Sequence, residues 1–252
     1  MHFVFILGTA GSGKSTLTDV LSEKLEDWDF DVVTLNLDPG VSWLPYAPDV
    51  DIRDYINIDA IMRDYQLGPN GALVAAVDMS INKVNEIKEE LEQYNPDIVL
   101  VDTPGQMELF AYRNSGLIIS SALTQGDFSI VFLVDSIFAN RASDFLSALL
   151  LSSSIQSRFQ VPQINAVSKI DILPKETAEK LNKWVDEPET LLEELISEEE
   201  GLRRELAQTF FASLRELNLL SAFYTISSVT GEGLDELMAE IQRIFTRGET
   251  LR

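Results

Sequence analysis

Cysteine is absent from this chain of 252 residues, and histidine occurs once, as His2. Without thiols there can be no disulfide, no thiolate metal site and no cysteine nucleophile. A single imidazole also excludes His-rich metal sites and a Ser-His-Asp triad. Any chemistry of this protein must therefore rest on hydroxyl, carboxylate, amide, basic and backbone groups.

Basic residues are scarce. Lys and Arg number 19 against 41 Asp and Glu, which gives a formal net charge of −22. Nucleic-acid binders usually present a net basic face, and no Lys/Arg cluster is visible, so we expect no direct nucleic-acid binding. The charge either keeps the protein soluble through self-repulsion or complements a partner with a basic surface.

Long apolar runs are also missing. No stretch approaches the roughly 18 consecutive apolar residues of a membrane-spanning helix. The apolar run at 2–7 is short, lacks a basic flank and ends in a glycine loop, unlike a signal peptide. We therefore expect a soluble, cytoplasmic protein that makes no membrane contact.

Six short apolar runs alternate with amphipathic helical patterns. The runs are nearly continuous rather than alternating, as in a parallel sheet covered on both faces. Strands are predicted at 2–7, 31–37, 97–101, 128–134, 162–167 and 222–226, and helices at 14–26, 72–93, 141–158 and 234–245. This order predicts an α/β three-layer fold with a doubly wound, mostly parallel sheet, in one domain over residues 1–252. Ligands then belong at the carboxyl ends of the strands.

Two insertions interrupt this order. Residues 39–73 are rich in Pro, Asp, Asn and aromatic residues, and a loop of this length is usually functional or an insertion. Residues 174–220 are acidic and carry apolar residues at helical spacing. The second insertion is either a helical excursion packed on the sheet or a surface for a partner or second subunit.

Residues 8–15 predict a phosphate-binding loop. Their sequence GTAGSGKS matches GxxxxGK(S/T) completely and lies between an apolar strand and a helix, the context that the motif requires. Glycines let backbone N–H groups converge on phosphate oxygens, and the helix start adds the positive end of its dipole. The predicted nucleotide contacts here are Gly11, Ser12, Gly13, Lys14, Ser15 and Thr16. Lys14 should reach the β- and γ-phosphates and assist catalysis, and Ser15 should bind Mg²⁺. A structural glycine turn is the alternative.

A second phosphate-side motif begins at Asp102, which follows a buried strand and opens the sequence DTPGQ. A carboxylate at this position can hold Mg²⁺ directly or through water. Gly105 has no side chain, so its N–H can approach a γ-phosphate that is present in GTP and absent from GDP. The following segment would then act as a switch. The alternative is an ordinary turn.

The base site is predicted after the strand at 162–167. Asp171 in the sequence SKID would accept hydrogen bonds from guanine N1–H and the exocyclic amine, a donor pair that adenine lacks. The Lys169 stem would lie along the base plane. Near the last strand, Ser228 and Val229 would bring a backbone N–H to guanine O6. Taken alone, KxD is a weak signal and is usually a surface turn.

Together these motifs resemble the P-loop GTPases and, more closely, the GPN-loop GTPase family. The tripeptide Gly68-Pro69-Asn70 lies in the first insertion, between LDPG at 37–40 and DTPGQ at 102–106. The resemblance covers essentially the whole chain. It implies a dimer in which the GPN loop of one subunit reaches the nucleotide site of the other. Asn70 would then touch the γ-phosphate region in trans, and its alternative role is a helix N-cap.

The resemblance also implies a carboxylate near the phosphates. Asp38 follows the second strand, and we expect it to deprotonate or orient the attacking water and to lie on the metal side of the site. Gln106 would help to position that water, as a neutral donor and acceptor can. The alternative for Asp38 is a turn-forming Asp-Pro-Gly.

One residue departs from the family pattern. Where the usual base motif is NKxD, this chain has Ser168. The shorter serine can make only part of the network of an asparagine, so affinity or base discrimination is expected to fall.

The resulting hypothesis is a dimeric, Mg²⁺-dependent GTPase that changes shape with its nucleotide and acts on an unknown protein client. Eukaryotic relatives are linked to RNA polymerase assembly, which suggests an assembly role by analogy only. Because the chain ends soon after its last helix, an archaeal-like homodimer is the simplest form. The alternatives are a P-loop nucleoside or polynucleotide kinase, against which DTPGQ and SKID argue, and a scaffold that binds nucleotide without hydrolysis.

Overall fold

The computed structural model describes residues 1–217, 219 and 223–246. Within them, a seven-stranded sheet has the order β3-β2-β4-β1-β5-β6-β7, and all its pairings are parallel. The strands are β1 (His2–Gly8), β2 (Val32–Asn36), β3 (Val50–Asp51), β4 (Ile98–Asp102), β5 (Phe128–Asp135), β6 (Gln163–Ser168) and β7 (Phe223–Thr225). The predicted doubly wound parallel sheet is confirmed. Residue 222, in the last predicted strand, lies outside the described residues.

Helices cover both faces of this sheet, which gives three layers. They are α1 (Lys14–Glu26), α2 (Ile52–Tyr55), α3 (Ile58–Asp64), α4 (Pro69–Ser80), α5 (Val84–Tyr94), α6 (Met107–Ala111), α7 (Asn114–Thr124), α8 (Ala142–Phe159), α9 (Lys175–Asp186), α10 (Pro188–Glu198), α11 (Gly201–Glu216) and α12 (Leu234–Phe245). One apolar core lies between the sheet and α1 and α12, and the larger core lies on the other face. Side chains of the central strands therefore enter a core on either face of the sheet, which explains why the apolar runs do not alternate.

The prediction of one continuous helix at 72–93 is wrong in its start and in its continuity. It begins earlier, at Pro69, and a 3-10 turn over Ile81–Lys83 divides it into α4 and α5. The Ser80 hydroxyl donates to the Ala76 carbonyl at 2.9 Å, a back-bond that bends helices and loosens the next turn. Helices α6 and α7, the short helices α2 and α3, and the two-residue strand β3 were not predicted.

The second insertion is helical, as predicted, and consists of α9, α10 and α11. It packs on α8: Trp184 stacks on Phe145 with ring centroids 5.6 Å apart, and Phe211 is buried in the same core. One face of these helices is therefore packed inside the protein, and a surface for a partner or second subunit stays a prediction. Leu202, 70% exposed, lies on a face without such packing. Two residues of the predicted segment, 218 and 220, lie outside the described residues.

Strand register brings the site residues to one edge. Asp102 at the end of β4 pairs with Ile6 of β1 and with Asn36 of β2, and Asp135 of β5 pairs with Ser168 of β6. The segments that follow these strands therefore meet at the carboxyl edge of the sheet. Among the described residues, no helix is long and apolar enough to cross a membrane.

Candidate nucleotide-binding site

The loop after β1 curls back on itself before α1 begins. Gly13 holds φ at 89°, a left-handed conformation that disfavours other residues. A Cβ on Gly8 would lie 2.6 Å from the Leu133 carbonyl oxygen, so only glycine lets β1 pass β5 this closely. Gly13 is therefore required by its backbone conformation, and Gly8 by the close approach of a neighbouring strand.

Lys14 lies inside this curl. Its Nζ donates to the carbonyls of Gly8 at 3.1 Å and Thr9 at 3.0 Å, and to that of Gly105 at 3.5 Å. Burial lowers the pKa of Lys14, while Asp102 and Asp38 act to raise it. The ammonium is thus held on backbone carbonyls at the mouth of the phosphate loop, where phosphate oxygens would be stronger partners. Ser15 follows at the first turn of α1, half-buried, and Thr16 is exposed.

Asp102 is 1% exposed, and its two oxygens have different surroundings. Oδ2 accepts from the Tyr46 hydroxyl at 3.2 Å, whereas Oδ1 has no hydrogen-bond partner among the described residues. Burial raises the pKa of Asp102 to about 6, against the lowering influence of the Ser15 hydroxyl and the Lys14 ammonium. A buried carboxylate oxygen without a partner is costly unless a cation or a proton reaches it.

Asp38 and Gly105 meet across the site. The Asp38 carboxylate accepts the Gly105 N–H at 2.9 Å through Oδ2 and the Gly40 N–H at 2.9 Å through Oδ1. The local bond to Gly40 is the turn-forming role considered from the sequence, and the bond to Gly105 adds a contact with the DTPGQ segment. Gln106 caps the N-terminus of α6 in an extended conformation with its side chain exposed.

The base-side residues lie at the ends of β6 and β7. The Ser227 hydroxyl donates to Asp171 Oδ1 at 2.6 Å and accepts from the N–H groups of Val229 at 3.2 Å and Thr230 at 3.1 Å. Asp171 is exposed and retains its Oδ2 for a ligand. Ser228 and Val229 lie in the turn after β7, beside this carboxylate, with Val229 80% exposed.

Lys169 links the base side to the phosphate loop. Its backbone is left-handed, with φ at 62°, and its Nζ bonds the Gly11 carbonyl and pairs with Asp135 Oδ2 at 2.8 Å. The stem therefore crosses over the phosphate loop, where a base could lie against it.

Ser168, which stands where the family motif has asparagine, contacts the phosphate loop. It is buried, and its hydroxyl donates to the Ser12 carbonyl at 2.7 Å, with the Val134 carbonyl as a longer second acceptor at 3.3 Å. The tie to the phosphate loop is therefore retained. One hydroxyl has one proton to donate, so the serine offers no further donor for the base.

Known proteins are similar to this chain over nearly its whole length. A family model described as "Conserved hypothetical ATP binding protein" matches residues 6–247. "GPN-loop GTPase 3" of Dictyostelium discoideum is 32% identical over 254 residues, which cover 99% of this chain and 89% of that protein. "GPN-loop GTPase PAB0955" of Pyrococcus abyssi is 32% identical over 237 residues, 93% of each. This chain belongs to the GPN-loop GTPases. Its activity is therefore the hydrolysis of GTP, and the kinase and scaffold alternatives are set aside.

A solved GPN-loop GTPase supports the fold along its full length. The structure described as "a GTPase in Apo form from Pyrococcus abyssi" matches this chain with a TM-score of 0.86 at 30% identity, covering 97% of each chain. The three-layer architecture is thus shared with this solved relative.

The family tripeptide of this GPN-loop GTPase lies on an exposed corner. Gly68 is the N-cap of α4, with no side chain to cap it, and Pro69 occupies the first turn. The N-cap alternative for Asn70 is therefore wrong, because Asn70 lies inside the helix, one residue after Pro69. All three residues are exposed, and so is Tyr65 just before them, at 63%. No hydrogen bond or ion pair joins the Asn70 side chain to the phosphate loop of its own chain among the described contacts.

Sequence reasoning missed several residues of this GPN-loop GTPase site. Asp135 holds Lys169, Tyr46 holds Asp102, and Asn36 holds the backbone of Asp38. Asp135 had a usable signal, since it ends an apolar strand as Asp102 does. Tyr46 and Asn36 had none, because only the tertiary fold brings them to the carboxylates.

Proposed function

We propose that this GTPase uses Mg²⁺ and the Asp38 carboxylate to hydrolyse GTP as a homodimer, and that the Asp38–Gly105 hydrogen bond is its switch. That bond carries the proposal. One backbone N–H cannot serve both the Asp38 carboxylate and a γ-phosphate at full strength. GTP would therefore take the Gly105 N–H and free Asp38 Oδ2, whereas GDP would leave the bond in place.

Freed in this way, Asp38 has the chemistry of a water-orienting base. A carboxylate accepts a proton or a hydrogen bond from water, and Gln106, exposed beside Gly105, can hold the same water through its amide. The resting state keeps Asp38 bound to backbone N–H groups, so the base becomes available only when the γ-phosphate is present. Lys14 would leave the backbone carbonyls for the β- and γ-phosphates, alongside the N–H groups of Gly11, Ser12, Gly13, Ser15 and Thr16.

The metal residues fit Mg²⁺. The unpartnered Oδ1 of Asp102 is buried beside Ser15, and Asp38 lies close enough to raise the pKa of Asp102. No cluster of three or more His, Cys, Asp or Glu that could hold a metal occurs in the described part of the chain. This suits Mg²⁺, which binds through one or two carboxylates together with waters and substrate phosphates. When bound, the ion would neutralise charge that develops between the β- and γ-phosphates.

Guanine selectivity is assigned to Asp171. The Ser227 hydroxyl donates to one of its oxygens and restrains the carboxylate, so the other oxygen would meet a base in a set direction. Adenine offers no donor pair to this carboxylate and would leave it poorly paired. Lys169, Ser168, Ser228 and Val229 complete the base site.

The proposed dimer is supported by the position of the GPN loop, and the proposed protein client by family analogy. The exposed position of Gly68, Pro69 and Asn70, together with the lack of described contacts from Asn70 to its own phosphate loop, supports action of Asn70 on a second subunit. A cytoplasmic role on a protein client, such as a polymerase under assembly, follows from the analogy alone. The net charge of −22 favours protein over nucleic acid as the client.

The test is phosphate release from GTP and from ATP, with Mg²⁺ or EDTA, over a range of protein concentrations. We expect release that is selective for GTP, lost in EDTA, and greater per molecule as concentration rises until the dimer is saturated. Equal use of ATP would overturn the role of Asp171. Undiminished release in EDTA would overturn the metal assignment. If activity per molecule is constant, sizing by light scattering decides whether a tight dimer or an active monomer is present, and a monomer refutes the dimer.

A further inference from the structure

The end of the short strand β3 and the first turn of α2 form a network around residues 37–41, here called the Asp38 loop. Asp51 ends β3 and pairs in register with Asn36 at the end of β2. Arg53 follows in the first turn of α2. Asp51 and Arg53 have no place in the nucleotide site described above, yet their hydrogen bonds converge on Asn36 and on the residues around Asp38.

Asn36 holds Asp38 by its backbone. Its Oδ1 accepts the Asp38 N–H at 2.9 Å, and its Nδ2 donates to the Asp38 carbonyl at 3.2 Å. Asn36 is completely buried, so its amide cannot exchange these partners for water. Two bonds to one residue fix the orientation of the Asp38 backbone, and hence the direction in which its carboxylate leaves the chain.

Asp51 decides which way round the Asn36 amide lies. The Asn36 Nδ2 also donates to Asp51 Oδ1 at 2.9 Å. An ionised carboxylate only accepts hydrogen bonds, so it requires the NH₂ end of the amide to face it and the oxygen to face the Asp38 N–H. Burial opposes the ionised form of Asp51, but hydrogen bonds from Arg53 and Asn36 outweigh it and hold the pKa of Asp51 below its ordinary value.

Arg53 closes the network from the other side of the loop. Its Nε donates to Asp51 Oδ2 at 2.9 Å, its Nη2 pairs with the same oxygen at 2.5 Å, and its Nη1 donates to the Val41 carbonyl at 3.2 Å. Asn36 therefore holds the loop at Asp38, and Arg53 holds it after Gly40. Asp51 bonds both Asn36 and Arg53 and so links the two contacts. A planar guanidinium can make these bonds at once, whereas an ammonium cannot.

We infer that Arg53 and Asp51 are positioning residues for GTP hydrolysis, which act through Asn36 and Val41 to aim the Asp38 carboxylate at Gly105 and the attacking water. This inference rests on the proposed role of Asp38. Arg53 touches no predicted nucleotide contact, so its loss should change the rate of hydrolysis and not the binding of nucleotide.

The test is a double-mutant cycle between Arg53→Gln and Asp38→Ala, with kcat, KM and GTPγS affinity measured for each protein. We expect Arg53→Gln to lower kcat by about tenfold. This is less than the loss of about 100-fold that a full ångström of misplacement can cause, because Asn36 still bonds the Asp38 backbone. KM and GTPγS affinity should stay within about twofold of wild type. In the Asp38→Ala background the same change should lower kcat less than about twofold further, because there is no carboxylate left to aim.

Arg243→Gln is the matched control. Arg243 makes an equivalent two-nitrogen pair with Glu240 on α12, away from the Asp38 loop, and its loss should leave kcat unchanged. Arg53→Lys is the second variant, in case the glutamine disturbs folding. Lysine keeps the positive charge beside Asp51 but lacks the planar set of guanidinium donors. The kcat of Arg53→Lys should therefore lie between those of wild type and Arg53→Gln.

Two results would overturn the inference without touching the proposed function: wild-type kcat in Arg53→Gln, or effects of the two mutations that multiply in full. Parallel losses of kcat and of GTPγS affinity would show a general structural role and would also overturn it. If instead Asp38→Ala itself retains wild-type turnover, the role of Asp38 falls, and the inference falls with it.

Discussion

Asp38 Oδ2 accepts the Gly105 N–H at 2.9 Å, across 67 residues of sequence. The bond joins the end of β2 to the segment after β4, the two places where a water-orienting base and a γ-phosphate contact were expected. A residue that binds its own switch in the absence of GTP is unavailable for catalysis until GTP arrives. Under the proposed exchange of partners, one carboxylate would serve both the GDP-bound and the GTP-bound state.

Asp38→Ala should separate hydrolysis from binding. We expect turnover to fall by about 100-fold or more, as for loss of a positioned base, with GTPγS affinity equal to or above that of wild type because the Gly105 N–H is no longer occupied. Single-turnover hydrolysis and equilibrium binding measure the two quantities.

Asp97→Ala is the control for Asp38→Ala. Asp97 also accepts a backbone N–H, that of Asp31 at 3.1 Å, but next to the amino end of β4, and its loss should leave turnover unchanged. Wild-type hydrolysis by Asp38→Ala would refute the proposed base.

Much of this site could be predicted because its motifs are local. The phosphate loop needs a strand, a glycine turn and a helix that are contiguous in sequence, and its residues 8–15 carry all three. Asp102 and Ser168 were likewise placed by the apolar strands that precede them. Each of these predictions depends on neighbours along the chain, and the parallel sheet then brings the strand ends together.

The rest of the site depends on contacts that no local pattern encodes. Tyr46 reaches Asp102 across 56 residues, and Asn36 reaches Asp51 only because β3 adds two residues to the sheet edge. A strand of two residues has no periodicity to detect. Helix α7 was not predicted for a related reason: nearly all of it is apolar or small, so its faces differ little in polarity. Helix α6 has only five residues.

Asp102→Asn should stabilise the nucleotide-free protein at neutral pH. The pKa of Asp102 is about 6 in the fold against 3.8 for a free side chain. Because the folded-state value is the higher one, stability falls as pH rises from 3.8 to about 6 and stays lower above it, by about 3 kcal/mol. Asparagine carries no charge to bury. The increase in the free energy of unfolding from Asp102→Asn should therefore be largest above pH 6 and vanish below about pH 4.

Urea unfolding in EDTA from pH 4 to 7.5 measures this effect. Asp64→Asn is the control, since it removes one negative charge from an exposed position and should change stability little at any pH. The same Asp102→Asn protein should lose the dependence of GTP binding on Mg²⁺. A less stable Asp102→Asn protein at pH 7.5 would contradict a net cost of burying the Asp102 charge.

Asp171→Asn should change base preference rather than abolish binding. The amide places a donor where the carboxylate accepted from guanine, so GTP affinity should fall by about 10- to 100-fold, in line with the loss of hydrogen bonds to a charged group. The affinity for xanthosine triphosphate should rise, because this base has a carbonyl in place of the guanine amine and can accept from the new amide. Competition among GTP, ATP and xanthosine triphosphate measures the change, and an unaltered order of preference would show that Asp171 does not read the base.

Mixing two inactive variants tests whether Asn70 acts on its own site or on that of a second subunit. Asp38→Ala should have a dead site and an intact GPN loop, and Asn70→Ala the reverse. If the loop acts in trans, a mixed dimer has one complete site, in which Asn70 comes from the Asp38→Ala subunit. Random pairing at equal amounts would restore about a quarter of wild-type activity per subunit.

The control for this mixture is Asp38→Ala combined with the Asp38→Ala/Asn70→Ala double variant, which offers no complete site in any pairing and should stay inactive. Restoration must also wait for subunits to exchange, so it should lag after mixing and be faster after dilution and reconcentration. Because Asn70 lies on an exposed helix start, its alanine variant is expected to fold normally, and failure to restore activity in a mixture shown to contain mixed dimers would place its action in cis.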